Sequence, residues 1–190
     1  MAKEGEISNY FLQDVNKLRA ETQKYISDGA MTSDYKDTKR SVKLLQGALA
    51  TEIVCVLRYT MNSISVSGIA SKSVAAEFVE HANDERDHLQ RIAERINQLG
   101  GAPNFDPQGL ASRSANEYGG HDLSLRKMVE QNLAAERIAI EHYCDLINYF
   151  RNRDPSTRAM LEEILADEED HATDMLDLIG DNEARQAARK

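Results

Sequence analysis

The sequence predicts an all-α protein, a four-helix bundle with one long crossover connection and an extra N-terminal helix. Three observations carry this. Four segments of about 25–30 residues place apolar residues at alternating three- and four-residue intervals, the spacing of an inward-facing helical seam. One Gly- and Pro-containing stretch, residues 100–121, separates the second segment from the third, and a connection of that length inside a compact domain needs a task such as running the length of a bundle. Three prolines and no tryptophan in 190 residues leave too little turn punctuation for a β-rich domain.

The elements follow in order. Residues 7–28 read as a short amphipathic helix on Ile7, Phe11, Val15, Leu18 and Tyr25, and the stretch from Gly29 to Lys36 breaks it. The first bundle helix is expected over 37–66, with the stripe Val42, Leu45, Leu49, Glu52, Val56, Tyr59 and Ser63. The second is expected over 72–99, with Phe78, Ala82, Glu85, Leu89, Ile92, Ile96 and Leu99, and Gly100 and Gly101 stop it. The third is expected over 122–152, with Leu125, Val129, Asn132, Glu136, Ile140, Tyr143, Ile147 and Phe150. Asp154-Pro155 separates it from a fourth over 156–179, carrying Leu161, Ile164, Glu168, His171, Met175 and Leu178, which Gly180 ends. The predicted organisation is therefore an extension over 1–36, a bundle over 37–180 and a polar tail over 181–190.

Charged residues inside these stripes are the functional signal. A Glu, a Tyr seven residues later and a Glu-x-x-His about one helix further on occur twice: Glu52, Tyr59, Glu85 and His88, then Glu136, Tyr143, Glu168 and His171. Two helices thus give one Glu each and two give a Glu-x-x-His, the ligand recipe of a carboxylate-bridged two-metal centre. Four carboxylates in a dry core repel one another and take up protons unless cations sit between them. Two divalent ions balance their charge and leave the imidazoles as neutral ligands. A single Glu-x-x-His on an acidic helix is common and carries little; two, each following a seam Glu, carry much more. Tyr59 and Tyr143 face the same seam, either as core aromatics or as donors to a ligand carboxylate across the bundle. His81 reads as an exposed helix histidine, with guidance of the metal to the site as the alternative. His142 is expected to point away from the seam, and His121 starts the third helix.

Bulk properties limit the remainder. Lys and Arg total 23 against 32 Asp and Glu, a net charge of −9, which argues against a nucleic-acid binder and favours drawing cations. The basic residues Lys36, Lys39, Arg40 and Lys43, and Arg185, Arg189 and Lys190 in the tail, read as solvated. Cys55 and Cys144 lie in helical patterns with no CxxC, so buried free thiols in a reducing compartment are expected. With no signal core and no stretch of roughly 18 apolar residues, a cytoplasmic protein away from membranes is expected.

The strings ALATEIVCVLRY, EHANDERDHLQRIAERINQLGGAPNF, NLAAERIAIEHY and MLEEILADEEDHATDMLDLI resemble the ferritin-like superfamily, and within it the bacterioferritin and Dps-like mini-ferritin group. The resemblance covers about residues 40–180. It implies Glu52 and His88 as terminal ligands of one iron, Glu136 and His171 as terminal ligands of the other, and Glu85 and Glu168 as bridges. It also implies that Tyr59 hydrogen-bonds a ligand Glu on the opposite helix and belongs to the catalytic set. Haem-binding bacterioferritins carry a Met directly after the first Glu-x-x-His glutamate; Arg86 stands there in this chain, so haem is not expected. The chain continues only 19 residues past His171, without the fifth helix of 24-subunit shells, which favours a 12-subunit shell over a 24-subunit one.

The expected function is iron storage and detoxification: ferroxidase oxidation of Fe(II) by O2 or H2O2 at two Fe ions per chain, with Mn as an alternative occupant, and Fe(III) mineral in a hollow homo-oligomer. The rival is a non-storage diiron or dimanganese enzyme of peroxidase, catalase or hydroxylase type. A rubredoxin-bearing variant is excluded by the missing CxxC pairs. A DNA-protecting shell without oxidation chemistry is a third class, disfavoured by charge.

Overall fold

The computed structural model describes residues 12–24, 35, 37–67, 71–120 and 123–187, the last seven as backbone only. It divides into two compact units, Met1–Asp37 and Thr38–Lys190. In the first, helix α1 (Val15–Lys24) is capped by Asp14, whose Oδ1 accepts from the backbone N–H of Asn16 and Lys17 at 2.9 and 3.2 Å. Of its expected apolar positions, Ile7, Phe11 and Tyr25 lie outside the described residues.

The second unit contains α2 (Thr38–Ser65), α3 (Ser71–Gln98), the short α4 (Leu110–Arg113), α5 (Leu125–Phe150) and α6 (Pro155–Ala187). The long helices pair as two hairpins, α2 with α3 and α5 with α6, and the hairpins meet through α2 on α5 and α3 on α6. Local chemistry sets most boundaries. Gly100, at φ 78°, ends α3: Gly101 N–H donates to Ile96 C=O and Gly100 N–H to Asn97 C=O, both at 2.9 Å, the paired bonds of a Schellman cap. Gly101 is required for space as well, since a Cβ there would lie 2.7 Å from Val42 Cγ1.

Two helix ends differ from expectation. α5 begins at Leu125 rather than 122, because the Ser124 side chain accepts from Lys127 N–H as its N-cap. α6 does not stop at Gly180 but continues to Ala187. Gly180 meets no left-handed requirement and has open space around it. A single Gly costs a helix only about 1 kcal/mol relative to Ala, and the Glu, Ala, Arg and Gln that follow are good helix formers. His121, expected at the start of α5, lies outside the described residues.

The crossover is pinned along α2. Gln46 donates to Ala102 C=O (2.7 Å) and accepts from Asn104 N–H (2.9 Å). Thr51 Oγ1 accepts from Ala115 N–H (3.0 Å), and Arg58 donates to Glu117 C=O (3.0 Å). These anchors progress along the helix, so the segment does run beside the bundle. The core separates into two apolar clusters. One gathers Leu45, Leu49, Ile92, Ile96, Phe150 and Leu161. The other gathers Tyr59, Phe78, Val129 and Met175. Among the described residues no helix is long and apolar enough to cross a membrane.

Candidate metal centre

Between the two apolar clusters lies a layer of buried carboxylates and imidazoles. Glu52 comes from α2, Glu85 and His88 from α3, Glu136 from α5, and Glu168 and His171 from α6; none is more than 4% exposed. The fold brings all six sequence-predicted ligands together. Glu52, Glu85, His88 and Glu168 offer ligand atoms within 4.8 Å of one another, as do Glu85, Glu136, Glu168 and His171. Glu85 and Glu168 belong to both sets.

The free valences of this layer test whether metal fits. Eight of its buried atoms have no hydrogen-bond partner: Glu52 Oε2, Glu136 Oε2, both oxygens of Glu85 and of Glu168, and Nδ1 of His88 and of His171. The other oxygen of Glu52 accepts from Tyr143 OH, and that of Glu136 accepts from Tyr59 OH. Two carboxylates are thus anchored with one oxygen free, and two keep both oxygens free. That is the valence pattern of two terminal and two bridging ligands. Left unmatched, so many buried lone pairs would cost several kcal/mol; a pair of cations satisfies all of them.

The electrostatics of the metal-free chain point the same way. Burial, then the charges of Glu168 and Glu52, push the Glu85 carboxyl well above its usual range. Burial and Glu52 do the same to Glu168. Burial works to raise Glu52, but its interactions with Glu85, with His88 and with the Tyr143 hydroxyl outweigh it and leave that carboxyl lowered. Burial also works to lower His88, yet the facing carboxylates of Glu168, Glu52 and Glu85 raise it. A proton on His88, 3.2 Å from Glu168 and 3.4 Å from Glu85, takes the place a cation would hold.

A family model for the ferritin-like domain matches residues 42–184. The chain belongs to the ferritin-like family. Its relatives include a nutrient stress-induced DNA-binding protein of Nostoc sp., 30% identical over 156 residues, 77% of this chain and 81% of that protein. A bacterioferritin of Mycobacterium tuberculosis is 29% identical over 131 residues, 68% of this chain and 77% of that one. Among solved structures, the dodecameric thioferritin of Bacteroides fragilis, a bacterioferritin-related protein, superposes with a TM-score of 0.78 at 31% identity, covering 81% of this chain and 92% of that one.

Sequence reasoning missed part of this ferritin-like site. His88 Nε2 faces Asp167 Oδ2 at 3.1 Å, and His171 Nε2 faces Asp84 Oδ2 at 3.4 Å. Each Asp directly precedes the Glu of a Glu-x-x-His, so the repeated string is in fact Asp-Glu-x-x-His. An Asp accepting from Nε2–H fixes the tautomer and turns the Nδ1 lone pair into the site. The signal was legible in both copies.

His81 corrects an expectation. It is buried, 1% exposed, because its ring stacks on His171 with centroids 4.0 Å apart and meets Tyr59 edge-on at 5.2 Å. Burial and the neighbouring His171 depress it to about 3, so it is neutral. His142 is half-buried beside Tyr143. Cys55 is buried, accepting from Asn116 Nδ2 (3.3 Å) and Arg58 (3.6 Å), and burial followed by the Glu85 charge pushes its thiol well up, away from the reactive thiolate. Cys144 is half-buried, and burial and nearby carboxylates raise it also.

Proposed function

We propose that this chain oxidises Fe(II) with O2 or H2O2 at an intrasubunit two-iron site and stores the Fe(III) product in a hollow homo-oligomer. The observation that carries the reading is the set of eight unpartnered buried atoms on Glu52, Glu85, His88, Glu136, Glu168 and His171. Iron is the substrate. Carboxylate oxygens are hard ligands that favour the oxidised ion, and imidazole suits iron in either state. Two ions held together supply two electrons at once, the number that converts H2O2 and two protons to water.

The chain's own residues hold the geometry. Glu52 and His88 hold one ion, Glu136 and His171 the other, and Glu85 and Glu168 reach both. Tyr59 and Tyr143 each fix one oxygen of a terminal Glu so that the second faces the ion. Asp84 and Asp167 orient the imidazoles. The apolar clusters above and below keep bulk water from the layer. Mn would suit the same donors. With Arg86 after Glu85, no haem ligand is supplied, and haem has no part in the reading.

For the assembly we favour a 12-subunit shell, a reading supported by the likeness to the dodecameric B. fragilis protein, with 24 subunits as the alternative. Although one relative is named DNA-binding, the net charge of −9 here favours cations over phosphates, and the cytoplasm is the expected location.

The test is to add a large excess of Fe(II) aerobically and run size exclusion with iron and protein detected together. Iron far above roughly two per chain, eluting with a large shell, is expected. Iron that stops near two per chain on a small oligomer would move the protein to the non-storage diiron or dimanganese enzymes.

A further inference from the structure

One helical turn beyond the two-metal layer, a second group of ligand-type side chains converges. His81 Nε2 lies 3.5 Å from Glu77 Oε1 and 3.4 Å from Asp174 Oδ2. Glu77 and His81 are on α3, and Asp174 is on α6. The three offer ligand atoms within 4.8 Å of one another. Separations of 3.4–3.5 Å are long for hydrogen bonds, and Nε2 can donate to at most one of the two oxygens. They are the edges of a coordination polyhedron with metal–ligand bonds of about 2.1 Å.

The imidazole itself is held in place: His81 is buried and stacked on His171, and Nε2 is the nitrogen it turns toward Glu77 and Asp174. Beside it opens a cleft of ≈ 280 Å³ lined by His81, His171 and five carboxylates, among them Glu80, Asp84, Asp170 and Asp174. Glu77 and Asp174 remain partly exposed, at 32% and 47%, so the group is reachable from solvent.

The two halves of the bundle supply an internal control. The two Glu-x-x-His motifs are 83 residues apart, and the same offset carries Glu77, His81 and Asp174 onto Met160, Ile164 and Arg91. Ile164 is fully buried in the apolar core, and Arg91 is engaged by Glu163. The site is therefore flanked by ligands and a cleft on the His171 side, and by apolar and cationic side chains on the His88 side.

We propose that Glu77, His81 and Asp174 form a third divalent-cation site, a loading station from which Fe(II) passes to His171 and the two-metal centre. Cation binding stands on its own geometry; only the delivery role rests on the function proposed above. Imidazole and carboxylate donors suit Fe, Mn, Co and Zn alike, and the ring stack of His81 on His171 makes the station and the centre adjacent.

Co(II) titration of the metal-free, assembled, full-length protein, counted per chain by calorimetry and visible absorption, tests the site. The double variant Glu77→Gln/Asp174→Asn keeps the buried ring stack and is expected to bind one cobalt fewer than wild type. His81→Gln is expected to lose the same equivalent. Glu168→Ala is expected to retain that equivalent while losing cobalt from the centre. Equal counts in wild type and the double variant would overturn the station. Should Glu168→Ala lose nothing while the double variant loses one, the station stands and the two-metal reading falls. For delivery, the double variant should oxidise sub-saturating Fe(II) more slowly and saturating Fe(II) at the wild-type rate. Equal rates at both concentrations would overturn the delivery role.

Discussion

The hairpins α2–α3 and α5–α6 are nearly equivalent where they meet and differ at their ends. At the metal layer every anchor crosses from one to the other. Tyr59 serves Glu136 and Tyr143 serves Glu52; Asp84 faces His171 and Asp167 faces His88. The layer of carboxylates and imidazoles is therefore complete only once the two hairpins dock. Away from the layer the equivalence lapses. At one end the buried Arg95 guanidinium grips both oxygens of Asp154 at 2.8 Å, tying the end of α3 to the start of α6. The same offset puts Leu178 and Ser71 at the matching positions of the opposite end, where Leu178 packs on the apolar cluster around Met175. Chemistry imposes the symmetry, and the ends are free to depart from it.

The largest expected effect breaks the bridge. Glu85→Ala and Glu168→Ala should each abolish fast Fe(II) oxidation in stopped-flow absorbance, to the same degree, because each supplies both ions. Retention of the wild-type rate in either variant would sink the assignment. A gain in thermal stability of the metal-free variants is also expected, since each removes a buried carboxyl that repels its neighbours.

Removing the crossing anchors comes next. Such partners are worth about 10- to 100-fold in metal affinity or activity. Asp84→Ala and Asp167→Ala should fall toward the upper end, because an imidazole loses its orientation. Tyr59→Phe and Tyr143→Phe should fall toward the lower end, with the ligand itself retained. Metal titration and oxidation rates check both pairs. A Tyr59→Phe loss as large as Glu85→Ala would give the hydroxyl a direct part in the chemistry.

The asymmetric end responds to acid. Burial works to raise Asp154, but hydrogen bonds from Arg95 and Thr157 outweigh it and hold the carboxyl below its ordinary range. A group lowered in the folded state stabilises above its unfolded pKa and loses that contribution as pH falls through its folded pKa. Denaturant unfolding of the metal-free protein should therefore lose stability in that acidic window. Asp154→Asn should be less stable at neutral pH, with a shallower acid decline; an unchanged decline would contradict the role. The smallest effect is expected of Cys55→Ser/Cys144→Ser, which should keep full oxidation activity with some loss of stability, since neither thiol reaches the reactive thiolate state. A clear loss of oxidation rate would give a thiol a functional part.

Much of this was legible in the sequence because the informative residues obey helical periodicity. A Glu on an apolar seam is costly enough to be noticed, and its recurrence with Tyr and Glu-x-x-His singled out the six side chains that the fold brings together. The Schellman stop at Gly100 was equally readable, since a left-handed residue needs Gly. What stayed hidden depends on the neighbour rather than on the residue. His81 looked like a surface histidine because its burial comes from His171 on another helix. Asp84 and Asp167 were lost among other acidic residues, although their repeat was visible. Gly180 looked like a stop, yet glycine ends a helix only where the chain must turn.

The most direct test of the central claim is a crystal structure of the protein soaked anaerobically with Fe(II), with anomalous maps at the iron edge. Two peaks about 3.5–4 Å apart are expected, both within reach of Glu85 and Glu168, one beside Glu52 and His88 and the other beside Glu136 and His171. A single peak, or none among these six residues, would contradict the account.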